Sequence, residues 1–135
     1  MSESTFEVDT FDGPLGLLGV LDCINEKFGF VVERIYFIKN VPTGKVRGVH
    51  AHRKLEQIFL CLNGSFKVKL VNKFGENTFC MQSANKALHI PPWTWRELYD
   101  FSEDAICLVL ASKKYDESDY IYNYDEFVSA LSHKL

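Results

Sequence analysis

The chain has 135 residues, of which 47% are hydrophobic and 14% aromatic. This length and composition suffice for the core of one domain, which we expect to span residues 1–135, and they argue against disorder. The net charge of −3, with basic residues spread along the chain, argues against a nucleic-acid partner. The N-terminus does not resemble a signal peptide, and no apolar run is long enough to cross a bilayer. We therefore expect a soluble, cytoplasmic protein with no membrane partner.

Strand patterns follow one another along most of the chain. Residues 28–41 are rich in β-branched and aromatic side chains and lead into Pro42 and Gly44, which is typical of a strand that ends in a turn. Two further strands are predicted in EQIFLCLNG and SFKVKLVN, and the Asn63-Gly64 pair between them predicts a tight hairpin. Later strand segments are GENTFCM, NKALHIPPWTWREL (broken by two prolines) and DAICLVLAS. Strands at this regular spacing are typical of a β-sandwich or a β-barrel.

Only the C-terminal segment NYDEFVSALSHKL has a helical pattern. Phe127, Val128, Leu131 and Leu135 fall on one face at helical spacing, and an Asn or Asp before them is a suitable N-cap. The sequence therefore predicts an all-β fold, one small barrel with a short C-terminal helix.

Two histidines stand one residue apart in the segment RGVHAH. Alternate residues of a strand project to the same face, so we expect His50 and His52 to lie side by side. By itself, the pattern fits an exposed polar strand end as well as it fits a catalytic or metal site.

The residues that follow the histidine pair bear on these alternatives. Gln57 stands five residues after His52, and Gly64 seven after Gln57. This spacing resembles the first signature of the cupin family, small jelly-roll barrels in which H-x-H, a glutamate and a glycine turn line the barrel mouth. The second cupin signature has a proline, a glycine, a histidine and an asparagine, and the matching positions here are Pro91, Trp93, Arg96 and Asp100. The resemblance implies a cupin-type jelly-roll barrel.

The metal ligands of the cupin family are only partly matched. Gln57 stands in place of the acidic ligand, and Arg96 in place of the third histidine. An amide is a poor ligand for a first-row metal, and a guanidinium does not coordinate cations. Glu56 would supply a carboxylate, but only with a shift of register that displaces the glycine turn. We therefore predict a protein with no metal and no cofactor, in which the histidines are free to transfer protons.

Three blocks of the sequence resemble a narrower group within the cupins. They are RGVHAH, WRELYDFS and the tail YDESDYIYNYDEF, in this order between Glu33 and Phe127. Together they resemble the nucleotide-sugar 3,4-ketoisomerases, the dTDP-4-keto-6-deoxyglucose isomerases of the WxcM-like family. The resemblance implies a metal-free homodimer that moves the carbonyl of a dTDP-linked 4-keto-6-deoxy sugar from C4 to C3. It leaves the C4 configuration of the product open between gluco and galacto, and it implies a later amination by an aminotransferase.

The chemistry of this reaction agrees with the residues. Removal of the C3 proton beside a ketone gives an enediol that is reprotonated at C4, which requires a base near neutral pH and a donor for the oxyanion. Histidine meets the first requirement, since its unperturbed pKa is about 6.5. We assign catalytic roles to His50, His52 and Tyr36, with Tyr36 as a phenolic donor. The sequence does not decide which histidine is the base. His50 is the first choice because it lies nearer Arg47 and Gly48.

Substrate contacts are assigned to residues of the same blocks. A pyrophosphate calls for guanidinium groups, for which Arg47 and Arg96 are the first candidates and Arg34 the next. Gln57 is placed with them at the barrel mouth.

An aromatic slot for the thymine ring is expected from Trp95 and Tyr99, beside Trp93. Each assignment has a plainer alternative. Tryptophans of a small barrel usually belong to the core, Tyr36 can fill a sheet face, and Arg96 can form a surface ion pair with its neighbour.

Two other functions stay open at this point. A nucleotide-sugar 3,5-epimerase also removes a proton beside a 4-ketone with a histidine, although the known epimerases are longer. A non-catalytic cupin would bind the sugar without transforming it. Binding of dTDP without exchange of the C3 proton would favour the non-catalytic protein.

Overall fold

The computed structural model describes residues 3–134. The strands are β1 Ser4–Glu7, β2 Asp9–Gly13, β3 Gly16–Val20, β4 Arg34–Lys39, β5 Arg47–His52, β6 Gln57–Asn63, β7 Phe66–Asn72, β8 Gly75–Met81, β9 Lys86–Ile90, β10 Trp95–Tyr99, β11 Ile106–Ala111 and β12 Tyr120–Ile121. The helices are α1 Ile24–Phe28 and α2 Tyr124–Ser132, and a 3-10 turn spans Glu117–Asp119.

The strands form two five-stranded sheets and a separate hairpin. The first sheet has the order β1-β9-β6-β11-β4, the second has the order β12-β5-β10-β7-β8, and β2 pairs with β3. From β4 to β7, and again from β9 to β12, consecutive strands alternate between the two sheets. The chain therefore winds back and forth across a jelly-roll barrel. The all-β fold with a C-terminal helix, predicted from the sequence, is confirmed.

The main core lies between the two sheets. The first sheet contributes Phe59 and Val109, and the second contributes Val68, Leu70 and Leu98, all of them buried. The alternate residues of β7 are less buried, as expected for a strand with one face on the core. Removal of this apolar surface from water is the main force that holds the two sheets together.

The strand predicted for residues 28–41 begins later than expected. Helix α1 ends at Phe28 and is capped by Gly29, whose φ of +79° suits a glycine at a helix C-terminus. Regular strand structure starts only at Arg34. Phe30 instead packs with Ile58 in a second apolar cluster, on the outer face of the first sheet. The apolar residues of this segment therefore belong to a short helix and a loop that pack on the first sheet. Strand propensity alone does not predict this.

The hairpin predicted at Asn63-Gly64 is wrong. β6 pairs with β9 and β11, whereas β7 pairs with β8 and β10, so this turn carries the chain from one sheet to the other. Gly64 has φ +66°, and a Cβ atom there would lie 2.8 Å from the Cα atom of Ala105. The glycine is required by the turn. An Asn-Gly pair does not determine which sheet the next strand joins.

One turn has a backbone conformation that is typical of glycine, although the residue there is a tryptophan. Trp93 occupies the position of the glycine in the second cupin signature, and its φ is +58°, in the left-handed region that residues with a Cβ atom rarely adopt. Its backbone N–H donates to the carbonyl of His52 at 2.8 Å. The loop before β10 is therefore tied to the end of β5, where the histidines lie.

The C-terminal helix predicted from the sequence is present as α2. The side chain of Asn123 accepts a hydrogen bond from the backbone N–H of Glu126 at 2.9 Å and so caps the helix. Phe127 is buried, Val128 is exposed, and Leu135 lies outside the described residues. Neither helix between residues 3 and 134 has the length and apolar character needed to cross a membrane.

Candidate active site

The two histidines lie on β5, between β10 and β12. His52 lies opposite Tyr120 of β12, and His50 lies opposite Arg96 of β10. The ring centroid of Tyr120 is 4.8 Å from that of His50 and 4.4 Å from that of His52. Strand alternation thus places both imidazoles on one face, as predicted, and the tyrosine covers them from the neighbouring strand.

A chain of polar contacts joins Asp119, His52 and His50. Nδ1 of His52 lies 3.2 Å from Oδ2 of Asp119, and Nε2 of His52 lies 3.1 Å from Nε2 of His50. The carboxylate of Asp119 also accepts from the backbone N–H groups of Lys54 at 2.8 Å and Leu55 at 3.2 Å. His52 and Asp119 are only 1% and 8% exposed. Burial and these bonds hold the imidazole of His52 in one orientation.

A second chain of contacts joins Tyr36, Gln57 and Arg96. The amide nitrogen of Gln57 donates to the hydroxyl oxygen of Tyr36 at 2.9 Å, and its amide oxygen accepts from Nη1 of Arg96. Nη2 of Arg96 donates to the backbone carbonyl of Thr94 at 2.9 Å. Within residues 3–134, the buried Nε–H of Arg96 has no hydrogen-bond partner. The guanidinium is therefore firmly positioned, and its Nε–H remains free to donate.

Burial and Arg96 keep both imidazoles neutral. Burial, and then the charge of Arg96, lower the pKa of His50 from 6.5 to about 3. The same two causes lower the pKa of His52, while the carboxylate of Asp119 acts in the opposite direction. Burial lowers the pKa of Arg96 to about 10, so the guanidinium stays charged at neutral pH. Burial raises the pKa of Tyr36, which keeps the phenol protonated. The site thus holds two neutral bases, a fixed cation and a phenolic donor.

A cavity of about 410 Å³ opens beside His50. Its lining includes Arg34, Tyr36, Arg47 and Tyr120. The guanidinium of Arg34 lies 4.6 Å from the ring centroid of Tyr36, within the range of a cation–π contact. A ligand in this cavity meets two guanidinium groups, three phenols and an imidazole. This combination suits a molecule with both a phosphate group and a sugar.

The structure brings together most of the residues assigned to the site and separates two of them. Those brought together are Arg34, Tyr36, Arg47, His50, His52, Gln57 and Arg96. Trp95 and Tyr99 project from the other face of β10, because neighbouring residues of a strand point to opposite sides. Trp95 packs against Phe127 of α2, with ring centroids 5.8 Å apart, and Tyr99 lies opposite Lys67 of β7. Neither side chain reaches the cavity beside His50, so the geometry does not support a thymine slot there.

Asp119 and Tyr120 had no role predicted from the sequence, although both contact the histidines. Asp119 is 67 positions away from His52 in the chain, and no spacing rule connects residues so far apart. The only signal was the tail block YDESDYIYNYDEF, which indicated the family but no individual role.

The alternative metal ligand, Glu56, is engaged away from the histidine pair. Its carboxylate lies 3.0 Å from Nε2 of His89, and the ring of His89 stacks on Phe28 in the outer apolar cluster. Among the described residues, no group of three or more His, Cys, Asp or Glu side chains is arranged to hold a metal ion. Two imidazoles beside a guanidinium do not fit a divalent cation, because the charge of Arg96 repels it. Metal independence stays a prediction.

Known proteins resemble this chain over most of its length. Residues 3–132 match the family described as "FdtA: WxcM-like, C-terminal". The chain belongs to this family. A relative, the TDP-4-oxo-6-deoxy-alpha-D-glucose-3,4-oxoisomerase of Aneurinibacillus thermoaerophilus, is 42% identical over 103 residues, which cover 76% of this chain and 74% of the relative.

Solved structures extend the likeness of this WxcM-like chain to its whole fold. QdtA, a sugar 3,4-ketoisomerase from Thermoanaerobacterium thermosaccharolyticum solved with TDP, matches at a TM-score of 0.93 and 34% identity, covering 99% of this chain and 97% of that chain. WlaRA, a TDP-fucose-3,4-ketoisomerase from Campylobacter jejuni, matches at a TM-score of 0.88 and 30% identity, covering 97% and 96%. The predicted family and the predicted class of enzyme, a nucleotide-sugar 3,4-ketoisomerase, are confirmed.

Proposed function

We propose that the protein converts dTDP-4-keto-6-deoxyglucose to a dTDP-3-keto-6-deoxyhexose by proton transfer through an enediol, in the synthesis of deoxyamino sugars. The observation that supports this most directly is the pair of neutral imidazoles, with Nε2 atoms 3.1 Å apart, beside the buried charge of Arg96. A neutral imidazole is a base, and a fixed cation stabilises the oxyanion that forms when the base removes a proton next to a ketone.

The reaction balances without a cofactor. The base takes the proton from C3, the C–H electron pair forms a C3–C4 double bond, and the carbonyl electrons move to the oxygen on C4. That oxygen is protonated to give the enediol. The hydroxyl on C3 then loses its proton and becomes the new carbonyl, while C4 receives a proton. The net change moves one hydrogen from C3 to C4 and one from the C3 oxygen to the C4 oxygen.

His50, His52 and Tyr36 are the side chains that move these protons in the proposal. Arg96 is 1% exposed and lies opposite His50 on the neighbouring strand. We therefore place its charge at the reacting end of the sugar, with Gln57 holding it, rather than at the pyrophosphate.

We assign the pyrophosphate to Arg34 and Arg47, because both residues line the cavity. The aromatic surface beside them comes from Tyr120 and Tyr122, which stack with ring centroids 5.3 Å apart. We assign the thymine ring to these tyrosines instead of Trp95 and Tyr99, since a stacked pair at the cavity offers an apolar face for a planar base.

The test is incubation with dTDP-4-keto-6-deoxyglucose in deuterated water, followed by NMR. The proposal expects a 3-keto product with deuterium at C4, whose configuration the same spectrum reports. Deuterium exchange at C5 with a retained 4-ketone would identify a 3,5-epimerase instead. Tight binding of dTDP with neither product nor exchange would identify a non-catalytic sugar-binding protein.

The proposal includes a homodimer. β4 is an edge strand of the first sheet, and its outward side chains Ile35 and Phe37 are both largely exposed. The β2–β3 hairpin exposes Phe11, Leu17 and Leu18. Exposed apolar faces beside an open strand edge invite pairing with a second copy. Light scattering at micromolar concentration is expected to give twice the chain mass, and a stable monomer would contradict this.

The proposal also places the protein in the cytoplasm. Cys23, Cys61, Cys80 and Cys107 are all free thiols, and thiols persist in reducing compartments.

A further inference from the structure

The contacts between Asp119, His52 and His50 allow one arrangement of protons. Both oxygens of Asp119 already accept from backbone N–H groups, those of Lys54 and Leu55, which is the environment of an anionic acceptor. The proton in the contact with His52 therefore belongs to Nδ1 of the imidazole. A neutral imidazole carries one proton, so Nε2 of His52 has a lone pair.

The lone pair on Nε2 of His52 determines which ring nitrogen of His50 carries a proton. Nε2 of His50 lies 3.1 Å from Nε2 of His52, and a hydrogen bond at this distance needs a proton on one of the two atoms. Since His52 offers the lone pair, His50 donates from Nε2. Nδ1 of His50 then has the free lone pair, and the side-chain hydrogen bond of His50 within residues 3–134 uses Nε2 instead.

The geometry points to Asp119 as a positioning residue that sets the tautomers of both histidines and so makes Nδ1 of His50 the basic nitrogen of the site. This inference rests on the proposed function for the reaction it serves. The tautomers themselves are properties of the free protein and are measurable without substrate.

The contacts from Asp119 through His52 to His50 also stabilise the positive charge that forms when His50 takes the C3 proton. When Nδ1 of His50 accepts the C3 proton, the positive charge on its ring faces the lone pair of His52 through the Nε2–H bond. The carboxylate of Asp119, at the far end of His52, stabilises that charge through the polarised imidazole.

Replacement of Asp119 by asparagine is expected to reverse both tautomers. Asparagine offers one oxygen to the two backbone donors, and the shorter contact, 2.8 Å from the N–H of Lys54 to Oδ1 compared with 3.2 Å from the N–H of Leu55 to Oδ2, favours the amide oxygen at the Oδ1 position. The amide NH₂ group then faces His52 and donates to Nδ1. His52 must carry its proton on Nε2, and His50 must accept there and carry its proton on Nδ1. The nitrogen assigned as the base, Nδ1 of His50, then has no lone pair, although every ring remains in place.

The experiment is ¹⁵N NMR of the imidazoles in the parent, Asp119→Asn and Asp116→Asn, combined with turnover and dTDP affinity. Asp116 is the N-cap of the 3-10 turn and is exposed, and within residues 3–134 its carboxylate accepts hydrogen bonds only from the backbone N–H and the hydroxyl of Ser118. It is the matched control for loss of a carboxylate from this turn. We expect Nδ1–H on His52 and Nε2–H on His50 in the parent and in Asp116→Asn, and the opposite tautomers in Asp119→Asn. Turnover of Asp119→Asn should fall about a hundredfold or more, with dTDP affinity within about threefold of the parent.

The outcomes separate this inference from the proposed function. Parent protein with Nε2–H on His52 overturns the positioning role, even if Asp119→Asn fails to fold. Unchanged tautomers and turnover in Asp119→Asn overturn it as well. A parent that shows the expected tautomers but does not isomerise dTDP-4-keto-6-deoxyglucose contradicts the proposed function and leaves the proton arrangement standing.

Discussion

The guanidinium of Arg96 and the carboxamide of Gln57 meet inside the barrel, and both side chains are almost completely buried. Among the described residues, no carboxylate forms an ion pair with Arg96. A buried cation without a counter-charge is costly, and neutral acceptors offset only part of that cost. The charge is therefore ready to stabilise an anion that forms beside it, as an enediolate does.

Arg96→Met combined with Gln57→Leu is expected to separate activity from stability. Turnover should fall about a hundredfold or more, because the fixed charge at the oxyanion is lost. The free energy of unfolding should not fall, since apolar side chains of similar length replace a buried cation and its acceptor. Urea unfolding and steady-state kinetics check the two halves. A double variant that keeps near-parent turnover would show that the charge of Arg96 has no part in the reaction.

Activity is expected to be independent of divalent cations. Gln57 and Arg96 occupy the positions where a metal-binding cupin has an acidic ligand and a histidine, and they form a hydrogen bond with each other instead. Dialysis against EDTA should leave turnover unchanged, and later addition of zinc, iron or manganese should not raise it. Activity that is lost on dialysis and restored by one of these metals would contradict the prediction.

The histidines are expected to weaken the fold at acid pH. The pKa of His50 falls from 6.5 to about 3 in the folded chain, so between these values the unfolded chain binds more protons than the folded one. Stability is therefore full above pH 6.5 and is lost as the pH falls toward 3, by at most about 1.4 kcal/mol per pH unit for each such histidine. Urea unfolding at pH 7 and pH 5 measures this loss.

Asparagine does not titrate, so His50→Asn is the control for acid sensitivity. The variant should lose less stability between pH 7 and pH 5 than the parent does. Equal losses in the two proteins would mean that His50 is not the source of the effect.

Local patterns predicted the elements of this fold better than their pairing. The strand in SFKVKLVN and the C-terminal helix around Phe127 depend on neighbours in sequence, and both are present in the structure as β7 and α2. The partner of a strand depends on where the whole chain goes. The local pattern at Asn63-Gly64 predicted a hairpin. The turn instead crosses between the two sheets, because β6 and β7 have different partners.

The residues of the candidate active site were also predicted only in part. Family spacing grouped His50, Gln57 and Arg96 correctly in space, because the barrel fixes where those strand positions meet. Trp95 was grouped with Arg96 although adjacent strand residues point to opposite faces, a rule that the sequence already contained. The role of Asp119 could not be predicted from the sequence, because only the completed barrel brings the C-terminal part of the chain against β5.

The contacts with Asp119 make the roles of the two histidines unequal. His50→Asn removes the nitrogen assigned as base, and a lost general base typically costs about a hundred- to ten-thousandfold in rate. His52→Asn leaves that nitrogen in place but removes the acceptor that orients it, so a smaller loss of turnover is expected. Each variant needs three measurements, namely dTDP affinity, thermal stability and turnover. If both variants fold, bind dTDP normally and turn over within about threefold of the parent, the histidines are not the catalytic pair. If His52→Asn alone loses its activity while affinity and stability hold, His52 is the base and the roles are reversed.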